Sequence, residues 1–126
     1  MTHLVLDKLT KAYGSVRAVD AVDLTVARGE FVSLLGPSGC GKTTTLQMIA
    51  GFVAPDQGRM RLDGADLAAV APNRRGLGIV FQSYALFPHM TVEDNIGFCL
   101  EMRGVSRAER TARVREAMAL VGLAGF

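Results

Sequence analysis

The sequence predicts an α/β fold, and three observations carry that prediction. The N-terminal part alternates apolar and polar residues at the period of strands, through Leu4, Leu6 and Leu9 and again through Val22, Leu24 and Val26. Residues 31–35, Phe-Val-Ser-Leu-Leu, read as a short buried strand that feeds a glycine-rich loop and then a helical stretch over 43–50. From Thr91 onward the apolar period lengthens to that of helices. A chain of 126 residues with 49% apolar and 21% charged content has the make-up of one globular domain with a real core.

In chain order, residues 3–9 and 19–26 form two half-buried strands with a turn at Tyr13-Gly14 between them, an antiparallel start. A second turn at 27–30 leads into the strand at 31–35. The loop Gly36-Pro37-Ser38-Gly39-Cys40-Gly41-Lys42-Thr43 then matches G-x-x-x-x-G-K-[ST] at every fixed position, between a strand and a helix. Each residue type has a chemical reason. Glycines let successive N–H groups converge on phosphate oxygens, and the helix that follows adds the positive end of its dipole. Lys42 supplies a mobile charge for the outer phosphates, the Thr43 hydroxyl is placed for the magnesium ion of a nucleoside triphosphate, and Cys40 contributes its N–H. The plainer alternative is a glycine-rich turn before an ordinary helix.

Gly51 caps the helix at 43–50, and the breakers of 55–58 turn the chain into a strand at 59–63. After Asp63-Gly64 a single turn of helix is expected at 66–70. The basic loop at 72–76 reads as solvated surface, and 77–81 as a second buried strand with Gln82 at its end. Thr91 is an N-cap with Glu93 and Asp94 behind it, and Val92, Ile96 and Leu100 share one face of a helix to about Met102. Gly104 breaks it. Ser106 with Glu109 forms a capping box for a second helix marked by Val114, Ala117, Met118 and Val121.

A net charge of +2 gives no electrostatic case for nucleic acid as a partner. Cys40 and Cys99 stand in no zinc or disulfide spacing, which fits a reducing, cytosolic setting. No secretory leader is expected, and no run of roughly eighteen apolar residues could span a bilayer. Any membrane link is expected to come through a partner.

Beyond the loop, three features resemble the nucleotide-binding subunit of an ATP-binding cassette (ABC) transporter. Tyr13 matches the aromatic residue that in this family stacks on adenine; alternatively it is a turn tyrosine packed on its own strand. Gln82, in Val80-Phe81-Gln82-Ser83-Tyr84, matches the Q-loop glutamine. The segment from Leu86-Phe87-Pro88-His89-Met90 to Asn95-Ile96 is similar to the entry of the family's helical subdomain. The wording around Gly36 and Gln82 is nearest to importers of polyamines, sugars, iron and phosphonates.

The resemblance implies a P-loop NTPase with a RecA-like core, an N-terminal antiparallel β subdomain and the start of a helical subdomain, truncated. Residues 1–90 would hold the β subdomain with the P-loop and Q-loop core, and 91–126 would begin the helical subdomain. It implies ATP and Mg2+ as cofactors. Tyr13, Gly36, Pro37, Ser38, Gly39, Cys40, Gly41, Lys42, Thr43 and Thr44 would bind nucleotide, Lys42 and Gln82 would act in hydrolysis, and Thr43 and Gln82 would meet the metal. Tyr84, Leu86 and Phe87 would face a transmembrane permease subunit, or else simply cap the local core. A second ATPase subunit and a cytoplasmic position on the inner face of the plasma membrane complete the expectation.

The family's domain is about twice as long, and this sequence contains no Leu-Ser-Gly-Gly-Gln signature, no apolar strand ending in Asp-Glu and no switch histidine. Leu4-Val5-Leu6-Asp7 precedes the loop and continues into Lys8, and neither His3 nor His89 fits the switch position. The chain is therefore expected to be the N-terminal half of the domain, inactive alone, with some apolar edges lacking partners. Two alternatives stand beside an importer ATPase. One is a small P-loop kinase using Arg107, Arg110, Arg113 and Arg115 as a lid, residues that read first as a solvated helix face. The other is a non-catalytic nucleotide-binding remnant.

Overall fold

A long hairpin of β1 (Thr2–Tyr13) and β2 (Val16–Ala27) begins the fold. The computed structural model describes residues 2–125, which gather into two compact units divided between Ile79 and Val80. In the first unit, β3 (Gln57–Leu62) pairs on the other side of β1, followed by the two-residue β4 (Ala65–Asp66). All pairings are antiparallel in the order β2-β1-β3-β4.

The hairpin strands outrun the expected 3–9 and 19–26 because each absorbs a bulge. Strict alternation would send Leu6 and Leu9 to opposite faces, yet both are buried. The register slips by one residue between Leu6 and Leu9 on β1, then between Val22 and Val19 on β2, with Lys8 at φ 50° and Ala21 at φ 45°. Parity resets, and Leu6, Leu9 and Val19 all reach one core. The N–H groups freed by the bulges are satisfied by side chains: Lys8 N–H donates to Asp23 Oδ1 at 2.8 Å, and Ala21 N–H to the buried Thr10 hydroxyl at 3.0 Å. Gly58 on β3 lies beneath the bulge at φ 91°, where any Cβ would press into the Lys8 carbonyl.

Helix α1 (Lys42–Ala50) lays Met48 against Leu6, Leu9, Val19, Met60 and Leu67, which form the core of this unit. Burying side chains of this size stabilises by about 1.5–3 kcal/mol each. The packing anchors α1, and with it the loop at its N-terminus.

Three expectations change here. Residues 31–35 and 77–81 are not strands. Phe31 and Leu35 are 91% exposed and Val80 96%. An apolar run becomes a strand only where a neighbour offers a hydrogen-bonding edge, and among the described residues neither run joins a ladder. The single turn expected at 66–70 forms as one hydrogen-bonded turn, Val70 N–H donating to the Leu67 carbonyl at 3.1 Å, entered through an Asx-turn in which the Asp66 carboxylate takes the Ala68 N–H at 2.8 Å, with Leu67 buried. The basic loop is not merely solvated. Arg75 is half-buried and donates to the carbonyls of Met48, Ile49 and Val70 at 2.9, 2.7 and 2.9 Å, capping the C-terminus of α1. Burial lowers its pKa from the ordinary arginine value.

The second unit pairs α2 (Val92–Met102) with α3 (Arg107–Leu120). Asp94 N–H donates to the Thr91 hydroxyl at 3.1 Å and Glu109 N–H to Ser106 Oγ at 3.4 Å, so both expected N-caps form. The Glu109 carboxylate, however, turns to Arg113 at 2.6 Å. Gly97 meets Val114 and Arg110 of α3, and Arg110 bridges to Glu101 at 3.0 Å. Val114 and Met118 are buried as their spacing predicts, whereas Val121, lying past the last turn of α3, is exposed. Among the described residues no helix is long and apolar enough to cross a membrane.

Candidate functional site

The glycine-rich loop is held at both ends. Gly41 is the N-cap of α1 at φ 91°, and a Cβ there would collide with the Ala18 carbonyl of β2, so the loop's last residue must be glycine to lie against the strand. At the other end, a Cβ on Gly36 would come within 2.5 Å of Cys40 Sγ. Between them, Cys40 N–H donates to the Pro37 carbonyl at 3.3 Å, and Ser38 and Gly39 form the exposed crest.

Helix α1 has no side-chain cap and no acidic residue in its first turn. Its first hydrogen bond runs from Thr45 N–H to the Gly41 carbonyl at 2.9 Å, which leaves the Lys42, Thr43 and Thr44 N–H groups at the open helix end. Lys42 curls back over the loop, with Nζ donating to the Gly36 and Pro37 carbonyls at 2.7 Å each and lying 3.3 Å from Cys40 Sγ. Among the described residues no carboxylate pairs with it. Three outward N–H groups, a helix dipole and an ammonium held by two carbonyls and a thiol suit a polyanion. The exposed Thr43 hydroxyl stands beside them. No group of three or more His, Cys, Asp or Glu gathers among the described residues.

Tyr13 ends β1 opposite Val16, half exposed at 50%. The Lys11 ammonium lies 5.6 Å over its ring, and β2 passes from Val16 to the Ala18 carbonyl that touches Gly41. One hairpin end therefore carries the tyrosine while the next residues of the same strand support the loop. Gln82 belongs to the second unit, exposed in a turn. Tyr84 and Ala85 after it take φ of 63° and 48°, unusual for residues with a Cβ. Tyr84 and Leu86 are 83% and 71% exposed, whereas the Phe87 ring packs at a tilt of 52° against Phe98, with centroids 4.7 Å apart.

Three contributors escaped the sequence patterns. Asp56 accepts from Lys11 Nζ and Ala12 N–H at 2.8 Å each, Arg75 caps α1, and Asn95 ties down the loop before α2. The Asn95 amide accepts from Phe87 N–H at 2.8 Å and donates to the carbonyls of Phe87, Met90 and Thr91 at 3.1, 3.3 and 2.9 Å. Each acts on main chain distant in sequence or outside a regular element, where periodicity carries no signal.

A family model described as ABC transporter matches residues 19–126. The chain belongs to the ABC transporter family. It is 53% identical over 123 residues to the Fe(3+) ions import ATP-binding protein FbpC of Pasteurella multocida, covering 98% of this chain and 35% of that protein. It is 55% identical over 121 residues to the spermidine/putrescine import ATP-binding protein PotA of Pseudomonas aeruginosa, covering 96% of this chain and 33% of that one. The chain thus spans about a third of the length of the curated relatives it matches. Among solved structures it is similar to the ATP-binding cassette MJ0796, a dimer in a post-hydrolysis state bound to ADP and Pi, with TM-score 0.82 and 30% identity over 92% of this chain and 56% of that one. The fold is that of the ABC ATPases, P-loop NTPases whose family binds nucleotide.

Proposed function

We propose that this chain is the nucleotide-binding part of an importer's ATPase subunit, which couples ATP binding and hydrolysis to solute uptake. The observation that carries it is the open end of α1, where three main-chain N–H groups stand beside the Lys42 ammonium, folded over the loop, with no acidic residue in the first turn. Residues 36–44 cradle the phosphates of Mg-ATP, with the Thr43 hydroxyl toward the ion. Tyr13 receives adenine, and Gln82 meets the magnesium and the attacking water. Residues 1–90 form the β subdomain and catalytic core, and 91–126 begin the helical subdomain.

Relatives named for iron and for polyamine import match at nearly equal identity, 53% and 55%, which fits a shared motor rather than a shared solute site. The partners are transmembrane permease subunits and a second ATPase subunit, which places the chain on the inner face of the plasma membrane. Tyr84 and Leu86, both exposed, with the strained backbone of Tyr84 and Ala85 between them and Phe87 beside them, supply the permease contact. The family assignment sets the kinase alternative aside.

Calorimetry of Mg-ATP binding tests the reading. Charge-assisted bonds to phosphate are worth about 1.5–3 kcal/mol, so Lys42→Ala should weaken binding about ten- to a hundredfold. Equal affinities for the two proteins would refute it.

A further inference from the structure

Among the described residues, the end of β1 that carries Tyr13 has a strand on one side only. The β1–β3 ladder stops at Thr10 opposite Gln57, so residues 11–13 pair only with β2. Asp56 takes the empty place. Its own N–H donates to the Thr10 carbonyl at 2.9 Å, Oδ2 accepts the Ala12 N–H at 2.8 Å, and Oδ1 accepts Lys11 Nζ at 2.8 Å. The Lys11 side chain is consequently only 16% exposed despite its charge, and its ammonium sits over the Tyr13 ring within cation–π range.

We infer that Asp56 is a positioning residue for the nucleobase: by fixing Ala12 and Lys11 it sets the Tyr13 ring, with the ammonium on one face and the other face open to adenine. The inference rests on Tyr13 being the base platform. A half-exposed tyrosine at the end of a hairpin would otherwise have to be ordered at the moment of binding, and prior ordering removes that cost. Asp56 would act only on ligands that carry a base. The phosphate loop depends on α1 and Ala18, neither of which it touches.

The test is calorimetry on the full chain with two probes, Mg-ATP and magnesium inorganic triphosphate. Ordering one such side chain is worth about three- to tenfold in affinity, so Asp56→Ala should weaken ATP binding by that factor and leave triphosphate within about twofold. In a Tyr13→Ala background, Asp56→Ala should add no further loss for ATP. Lys11→Met, which keeps the apolar stem, should reproduce part of the ATP-specific loss and provides the measurement if Asp56→Ala does not fold. Parallel losses for both probes, unchanged ATP affinity, or an Asp56 effect that survives without Tyr13 would each overturn the inference. A Tyr13→Ala chain that loses ATP and triphosphate equally would remove the base platform, and the inference with it. Failure of the phosphate-loop reading shows separately, as Lys42→Ala leaving both probes unaffected.

Discussion

Arg75 and Asp56 show how single side chains stand in for missing main-chain partners. The Arg75 guanidinium supplies donors to three carbonyls, two of them in the last turn of α1, where the Met48 carbonyl also takes the Gly51 N–H at 3.1 Å. Replacing it by methionine keeps the stem but takes the donor from the Ile49 and Val70 carbonyls and leaves Met48 with the Gly51 N–H alone, so Arg75→Met should lower stability by about 1–3 kcal/mol in urea denaturation. Arg75→Lys, with one compact donor group, should recover only part of this. Asp56 brings a pH dependence. The Lys11 ammonium first, and the Ala12 N–H second, hold its carboxyl below the ordinary 3.8. A depressed carboxyl stabilises the fold at every pH above its unfolded value, and that contribution is lost as pH falls through the lower folded value. Melting temperature followed below about pH 4 should therefore fall less steeply for Asp56→Asn than for the parent chain. Asp23, held low by Lys8, and Asp63, held low by His3 and then Arg28, should keep their own acid-side losses in that variant.

At the scale of elements, the pairing of α2 with α3 depends on a residue without a side chain. A Cβ on Gly97 would meet Val114 Cγ2 at 3.3 Å and the Arg110 stem at 3.4 Å. Leucine there must push the helices apart, so Gly97→Leu should destabilise the pair by about 1–3 kcal/mol, read as an earlier loss of helical circular dichroism. Thr91→Ala, which removes a cap, should cost about 1 kcal/mol. Both helices were legible in the sequence, because caps and the 3.6-residue period are local signals. So was the glycine-rich loop, since its spacing is its geometry. The bulges were not: strict alternation puts Leu6 and Leu9 on opposite faces, and only the slip at Lys8 brings both into one core. The apolar runs at 31–35 and 77–81 misled for a different reason. Their composition states that they can be strands, and the neighbour that would make them so lies elsewhere than in their own residues.

For the whole molecule, the question is whether 126 residues that hold a phosphate loop also hydrolyse ATP. Phosphoryl transfer is catalysed almost wholly by positioning and by charge placed around the transferring group. On the proposed assignment the chain brings Lys42, Thr43 and Gln82 to that task. Its sequence has no Asp-Glu strand to hold the far side of the magnesium and polarise water, no switch histidine and no signature loop to offer a second subunit. Each missing electrostatic element typically costs about 10²–10³ in rate, and although such losses are rarely additive, two or three would leave turnover near background. Binding should persist, because the loop and the open end of α1 are complete in themselves. Two copies of this chain should not rescue each other, as each lacks the same parts. A steady-state phosphate-release assay beside Lys42→Ala should therefore show no difference between the two proteins under conditions where calorimetry does. Magnesium-dependent turnover that disappears in the variant would show instead that the groups already present suffice for hydrolysis.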